Sequence, residues 1–235
     1  MEEHYLKILP RELQFFVAEA EEKAGCHIQI VRDNSAAQFD NLELRITLDG
    51  HCEAIISFAG AEISRCALIH EVLHIQRFWI EQVPILRPSG RQFGVQAQTL
   101  DELLEHLVII PEERKYVQAE SNEHWGALYQ DGIRNIPLPG YPSIFEKALW
   151  KRSLFQWRAL RDIAMPFLSD TSLSEKLEAW GLKDISSQFV SNLNAIHYDK
   201  IEQILLVVRE FEYPPSGFCI RKFNLSARPR TLEFI

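Results

Sequence analysis

The 235-residue chain has no apolar run long enough to span a membrane. Its first residues, Met1-Glu2-Glu3-His4-Tyr5, lack the basic-then-apolar order of an export signal. These absences lead to the expectation of a cytoplasmic protein with no membrane partner. Positive charge is also short: 25 Lys and Arg against 33 Asp and Glu leave a net charge of −8. General nucleic-acid binding therefore has no electrostatic footing. Cysteine is sparse, with four residues at 26, 52, 66 and 219 and no paired metal-type spacing. Without an export signal they read as thiols in a reducing compartment rather than as disulfides. No internal repeat or low-complexity segment is present. What remains is 46% hydrophobic, ample for a sizeable core. The length suits one large domain or a core with an appended subdomain.

Against that background one stretch stands apart, Cys66-Ala67-Leu68-Ile69-His70-Glu71-Val72-Leu73-His74-Ile75. It contains His-Glu-x-x-His inside an apolar, helix-favouring run. Residues four apart lie one turn apart on the same helix face, so His70 and His74 can reach one metal ion together. Glu71 projects about 100° round from His70, close enough to act on a water at the ion without being a ligand. Two neutral nitrogen ligands, a third ligand from elsewhere and a carboxylate base are what a zinc-water hydrolase needs. The structural alternative is a hydrogen-bonded core pair. Burying two histidines and a glutamate among Leu68, Ile69, Val72, Leu73 and Ile75 is costly unless something satisfies them, and a metal would.

These residues resemble the zincin metallopeptidases, whose corresponding helix carries two zinc ligands and the catalytic glutamate. The metzincin branch is excluded, because it continues with a glycine and a third histidine within six residues. Here the continuation is Ile75-Gln76-Arg77-Phe78-Trp79-Ile80. The resemblance thus implies a gluzincin-like site, with its third ligand on a later helix.

Upstream, Pro10 to Ala24 reads as a helix with Leu13, Phe16, Ala20 and Ala24 on its stripe, ended by Gly25. His27–Arg32 alternates as a strand, and residues 33–40 read as loop. Leu42–Leu48 is the cleanest strand, followed by Asp49-Gly50 as a hairpin signal and a returning strand over His51–Phe58. Gly60 breaks that strand. The motif helix then starts near Glu62 to Ser64 and runs to about Ile80. This order, over roughly residues 10 to 115, resembles the compact bacterial gluzincin group of phage-repressor-cleaving and radiation-response proteases. The resemblance implies an α+β, zincin-like core with a three-stranded antiparallel sheet, whose edge strand can receive an extended peptide.

Residues 83–96 read as a loop, with Arg87 and Arg91 solvated. Gln98–Ile110 is the next helix, ended by Pro111, with Leu100, Leu103, Leu104, Leu107 and Ile110 on its stripe. The implied third ligand should come from here. Glu102 projects away from the stripe, while Glu105 lies among apolar neighbours. A carboxylate placed like Glu105 is explained by a metal or a charge partner rather than by solvent. Glu105 is therefore the favoured ligand and Glu102 the alternative. His106 is a candidate ligand, a supporting group or a proton donor. Tyr116, His124 and Tyr129 are downstream donors available to an oxyanion.

The Gly- and Pro-rich segment 131–143 suggests a boundary between a 1–130 core and a helical 131–235 region. Helices are expected from Ile144 to Pro166, over Ser172–Trp180 and over Ser186–Phe211. His197 reads as structural, and the basic tail from Tyr213 as solvated surface. The function expected is that of a zinc-dependent hydrolase, most simply a cytosolic peptidase acting on a peptide or protein. The competing expectation is an interaction protein on a zincin-derived core with a structural metal, although such a site would not need Glu71.

Overall fold

The structure, a computed structural model, describes the chain except for residues 34–40, 48, 141–142, 170, 197–198, 228–229 and 235. The loop expected at 33–40, the strand end at Leu48 and the structural reading of His197 therefore fall wholly or mostly outside the described residues. In chain order the elements are α1 (Glu3–Leu6), α2 (Arg11–Ala24), β1 (Ile28–Arg32), β2 (Asn41–Ile46), β3 (Cys52–Phe58) and α3 (Arg65–Ile75). A π turn over Gln76–Ile80 extends α3 and leads to β4 (Ile85–Pro88) and α4 (Gly94–Asn135). Then come α5 (Ile144–Ala159), with its own π turn at Leu160–Ala164, α6 (Ser172–Ala179), α7 (Lys183–Ala195) and α8 (Lys200–Glu210). The strands β5 (Phe218–Asn224) and β6 (Thr231–Phe234) close the chain. The fold is α+β, mostly helical, with two small three-stranded sheets ordered β1-β3-β2 and β4-β5-β6.

The chain divides into two compact units. One comprises Met1–Ile85, Lys115–Val117 and Ile220–Ile235, the other Leu86–Arg114 and Gln118–Cys219. The boundary anticipated at 131–143 lies inside the second unit.

In the first unit, α2 begins after the extended Pro10 and ends at Gly25, whose N–H still bonds the Glu21 carbonyl at 2.8 Å and whose φ of 66° turns the chain out of the helix. Glu21 then accepts from the Ile28 backbone N–H at 2.8 Å, tying the helix end to the start of β1. Central strand β3 buries Cys52, Ala54, Ile56 and Phe58 on one face. It pairs with β2 antiparallel, Asn41 opposite Ser57 through Ile46 opposite Cys52. The expected all-antiparallel sheet is corrected here: β1 runs parallel to β3, with Ile28 opposite Ala54 and Arg32 opposite Phe58. The returning hairpin strand occupies the centre, so β1 meets β3 rather than β2. Alternation along β1 fixes its faces but not its neighbour. Helix α3 packs on α2 and β2, burying Leu68, Ile69, Val72 and Ile75. Ser64 caps it, its Oγ accepting from Ala67 N–H at 3.0 Å.

The second unit is helical. Phe155 of α5 stacks on Phe189 of α7 at 5.3 Å, and Phe189 meets Phe211 at 5.7 Å. Ser143 and Glu146 form a reciprocal capping box at the start of α5. The single helix expected over 186–211 is two, because Asp199 caps a new start by accepting from Ile201 and Glu202 N–H. The tail expected as solvated surface instead contains β5 and β6, paired antiparallel. Pro111 does not end its helix either: α4 continues through it, and the non-helical residue is Val117, at φ −142° and ψ 54°.

Gly132, which composition alone assigned to a boundary, sits in the last turns of α4 against the Trp157 indole, and a Cβ there would collide with the ring. Trp157 is in turn edge-on to the buried Tyr129 at 5.8 Å. Gly132→Ala should therefore cost about 1–3 kcal/mol by overpacking, despite alanine's better helix propensity. In a chain of this size that lowers the melting temperature by roughly 2–4 °C per kcal/mol. A thermal scan showing no loss would mean that α4 and α5 do not approach this closely.

Candidate metal centre

Helix α3 holds the His-Glu-x-x-His motif where the sequence placed it. Ser64 sets the start of the helix, and the apolar residues around the motif bury it. One turn of helix then brings the Nε2 atoms of His70 and His74 to 3.2 Å from each other. Four nitrogens placed tetrahedrally about zinc at about 2.0–2.1 Å stand roughly 3.3 Å apart, so this spacing fits two ligands of one ion as well as a hydrogen bond between the rings. Phe78, in the π turn, lies nearly parallel to the His74 ring at 5.8 Å and 16°, backing the imidazole with an apolar face. Glu71 is 6% exposed and His74 9%, so both polar groups sit in a poorly solvated part of the helix.

His106 of α4 completes a group of three. One ligand atom from each of His70, His74 and His106 can be chosen so that all lie within 4.8 Å of one another. Two of the three residues are half-buried and His74 is buried, and the group can hold a metal ion. Three imidazoles form a donor set suited to a divalent transition metal such as zinc.

Glu105, the favoured third ligand from sequence, is buried at 1% exposure, as expected, but its carboxylate is engaged elsewhere. Glu105 Oε1 lies 2.6 Å from Lys200 Nζ, and Asp101 Oδ1 lies 2.8 Å from the same nitrogen. Asp101 also accepts from the Leu86 N–H at 3.0 Å. Asp101 and Glu105, one turn apart, thus grip a lysine that is itself 4% exposed and stands at the first position of α8. His106, one residue on, turns about 100° away from that pair. Glu102 is exposed and accepts from Gln98 Nε2 at 2.7 Å. Neither Glu102 nor Glu105 is in the three-residue group. Of the oxyanion candidates, Tyr129 is buried in packing, and His124 is exposed, edge-on to Trp125.

Sequence reasoning missed Lys200, because no local pattern links it to a helix about 100 residues earlier. The available signal was the pairing of Asp101 with Glu105 at i,i+4 beside an apolar stripe, which calls for a cation.

No family model matches the chain, and neither a curated protein nor a solved structure matches it. What the chain can do therefore follows from its own side chains.

The acidic pair carries a pH dependence. Burial pushes the Asp101 carboxyl above its usual range; the Lys200 ammonium opposes this and the Glu105 charge adds to it. An acid held more tightly protonated in the folded chain stabilises the fold fully below the unfolded pKa, about 4, and that contribution is lost as pH rises through the folded value. Denaturant titrations from pH 4.5 to 8 should show Asp101→Asn gaining stability relative to wild type with rising pH, by at most about 1.4 kcal/mol per pH unit. A difference independent of pH would mean that the Asp101 carboxyl is ionised across that range.

Proposed function

We propose that the chain is a zinc-dependent hydrolase, and specifically a peptidase, with His70, His74 and His106 as metal ligands and Glu71 as general base. The observation that carries this reading is the convergence of those three histidines beside a buried glutamate. When bound, zinc supplies a Lewis acid that polarises a carbonyl and makes a water acidic enough to attack near neutral pH. His70 and His74, fixed by one helix turn, set two coordination directions. Glu71, next to His70, takes the proton of the attacking water and delivers it to the leaving amine.

The zincin resemblance supports a peptide or protein substrate, although a gluzincin would use a glutamate where His106 stands here. Three neutral ligands leave the ion's charge uncompensated by the protein, which favours the acidic water that hydrolysis needs. The reading includes a cytosolic site of action. The four cysteines, all of them described residues, form no disulfide, and no described helix is long and apolar enough to cross a membrane. It does not call on nucleic acid. An interaction protein with a structural metal would share the histidines but would have no use for Glu71.

Two sets of variants test this. Purified protein should bind about one zinc per chain, and His70→Ala, His74→Ala or His106→Ala should each lose most of it. Glu105→Gln should keep its zinc, because its carboxylate serves Lys200. Elemental analysis showing full zinc in all three alanine variants would remove the site. Separately, Glu71→Gln should keep zinc and fold while losing about 10²–10⁴-fold in cleavage of an unstructured protein. Cleavage at the wild-type rate would show that Glu71 is not the base.

A further inference from the structure

Helix α4 runs over 42 residues, but its side chains show that it doubles back. The ring centroids of His106 and Trp125 are 4.8 Å apart with planes at 62°. Nineteen residues along a straight helix span about 28 Å at 1.5 Å per residue, so these rings could not meet on a single rod. The Trp125 Nε1–H donates to Glu113 Oε1 at 3.2 Å, and Arg114 Nε donates to Asn122 Oδ1 at 2.8 Å, both across the same bend. The break at Val117 lies between the partners in every case. Residues before and after Val117 are thus two helical arms laid against each other, and the crossing places an indole on the His106 imidazole.

Trp125 and Glu113 are both buried, Glu113 completely. The hydrogen bond to the buried Glu113 carboxylate fixes the indole in its plane. The indole in turn bears edge-on against an imidazole whose χ2 torsion is intrinsically broad.

Resting on the metal-site reading above, we propose that Trp125 is a positioning residue for His106. Anchored by Glu113, it holds the imidazole in one orientation, so that the third ligand is preorganised toward His70 and His74. In this role Trp125 acts through the histidine. Groups that orient a metal-ligating histidine typically account for 10–100-fold in metal affinity.

The test is a chelator competition with Zn²⁺ on the full chain, comparing wild type, Trp125→Phe, Trp125→Leu and His106→Ala, with Co²⁺ absorption spectra alongside. Trp125→Leu should weaken zinc binding about 10–100-fold and alter the Co²⁺ ligand-field bands. Trp125→Phe, which keeps an aromatic edge but loses the N–H anchor, should fall between Trp125→Leu and wild type. Should Trp125→Leu fail to fold, Trp125→Phe decides, with reduced affinity supporting the proposal and wild-type affinity overturning it. If His106→Ala loses zinc while both folded Trp125 variants bind as wild type, the positioning role is overturned and the metal site stands. If His106→Ala itself binds as wild type, the third ligand is misassigned and the role of Trp125 falls with it.

Discussion

Two imidazole nitrogens 3.2 Å apart on one turn of a largely buried helix are the constraint on which the rest depends. At that distance either one ring donates a hydrogen bond to the other, or both lone pairs point at a shared cation. The first uses two histidines to satisfy one contact; the second makes use of the carboxylate between them as well. The surroundings are built to hold the pair still. Ser64 fixes the start of α3, the apolar residues on its other faces lock its rotation, and Phe78 closes one side of the His74 ring. A surface helix with the same five-residue pattern would present mobile, solvated rings and would not preorganise a site.

The second helix contributes by dividing its polar residues between two tasks. Asp101 and Glu105 face Lys200 and form a buried cluster with one more negative than positive group when fully ionised. Such a cluster is a weak source of stability but a strong determinant of geometry, since removing its lysine would leave two buried carboxylates without that cation. It fixes α8 to α4 and so sets the rotation of α4 that turns His106 the other way. The proposed ligand thereby depends on an ion pair that takes no part in the chemistry.

Much of this was legible in the sequence, and the failures have physical causes. The 3.6-residue period marked the buried face of α2 through Leu13, Ala20 and Ala24, with Val17 buried where Phe16 was expected, and Gly25 and Ser64 marked a helix end and a helix start through backbone chemistry that is local. The burial of Glu105 and the exposure of Glu102 also followed from the wheel. The placing of Lys200 beside Glu105 did not, because a buried carboxylate announces only that it needs a positive charge, and both a metal and a lysine meet that need. Strand alternation could not say that β1 lies beside β3, since pairing is a tertiary choice. Pro111 suggested a helix end, yet a proline forfeits one hydrogen bond, which packing can override. The actual break at Val117, a β-branched residue in an otherwise charged segment, carries no strong local signal. Missing that break also hid the Trp125 contact, since the two residues look remote until the helix is folded back.

The central claim is that three imidazoles, and no carboxylate or thiolate, hold one metal ion. X-ray absorption at the zinc edge of the zinc-loaded chain tests it most directly. The account expects a first shell of nitrogen and oxygen only, at about 2.0–2.1 Å, with outer-shell scattering that fits three imidazole rings. A fit requiring only two imidazoles, or a sulfur scatterer near about 2.3 Å, would contradict it.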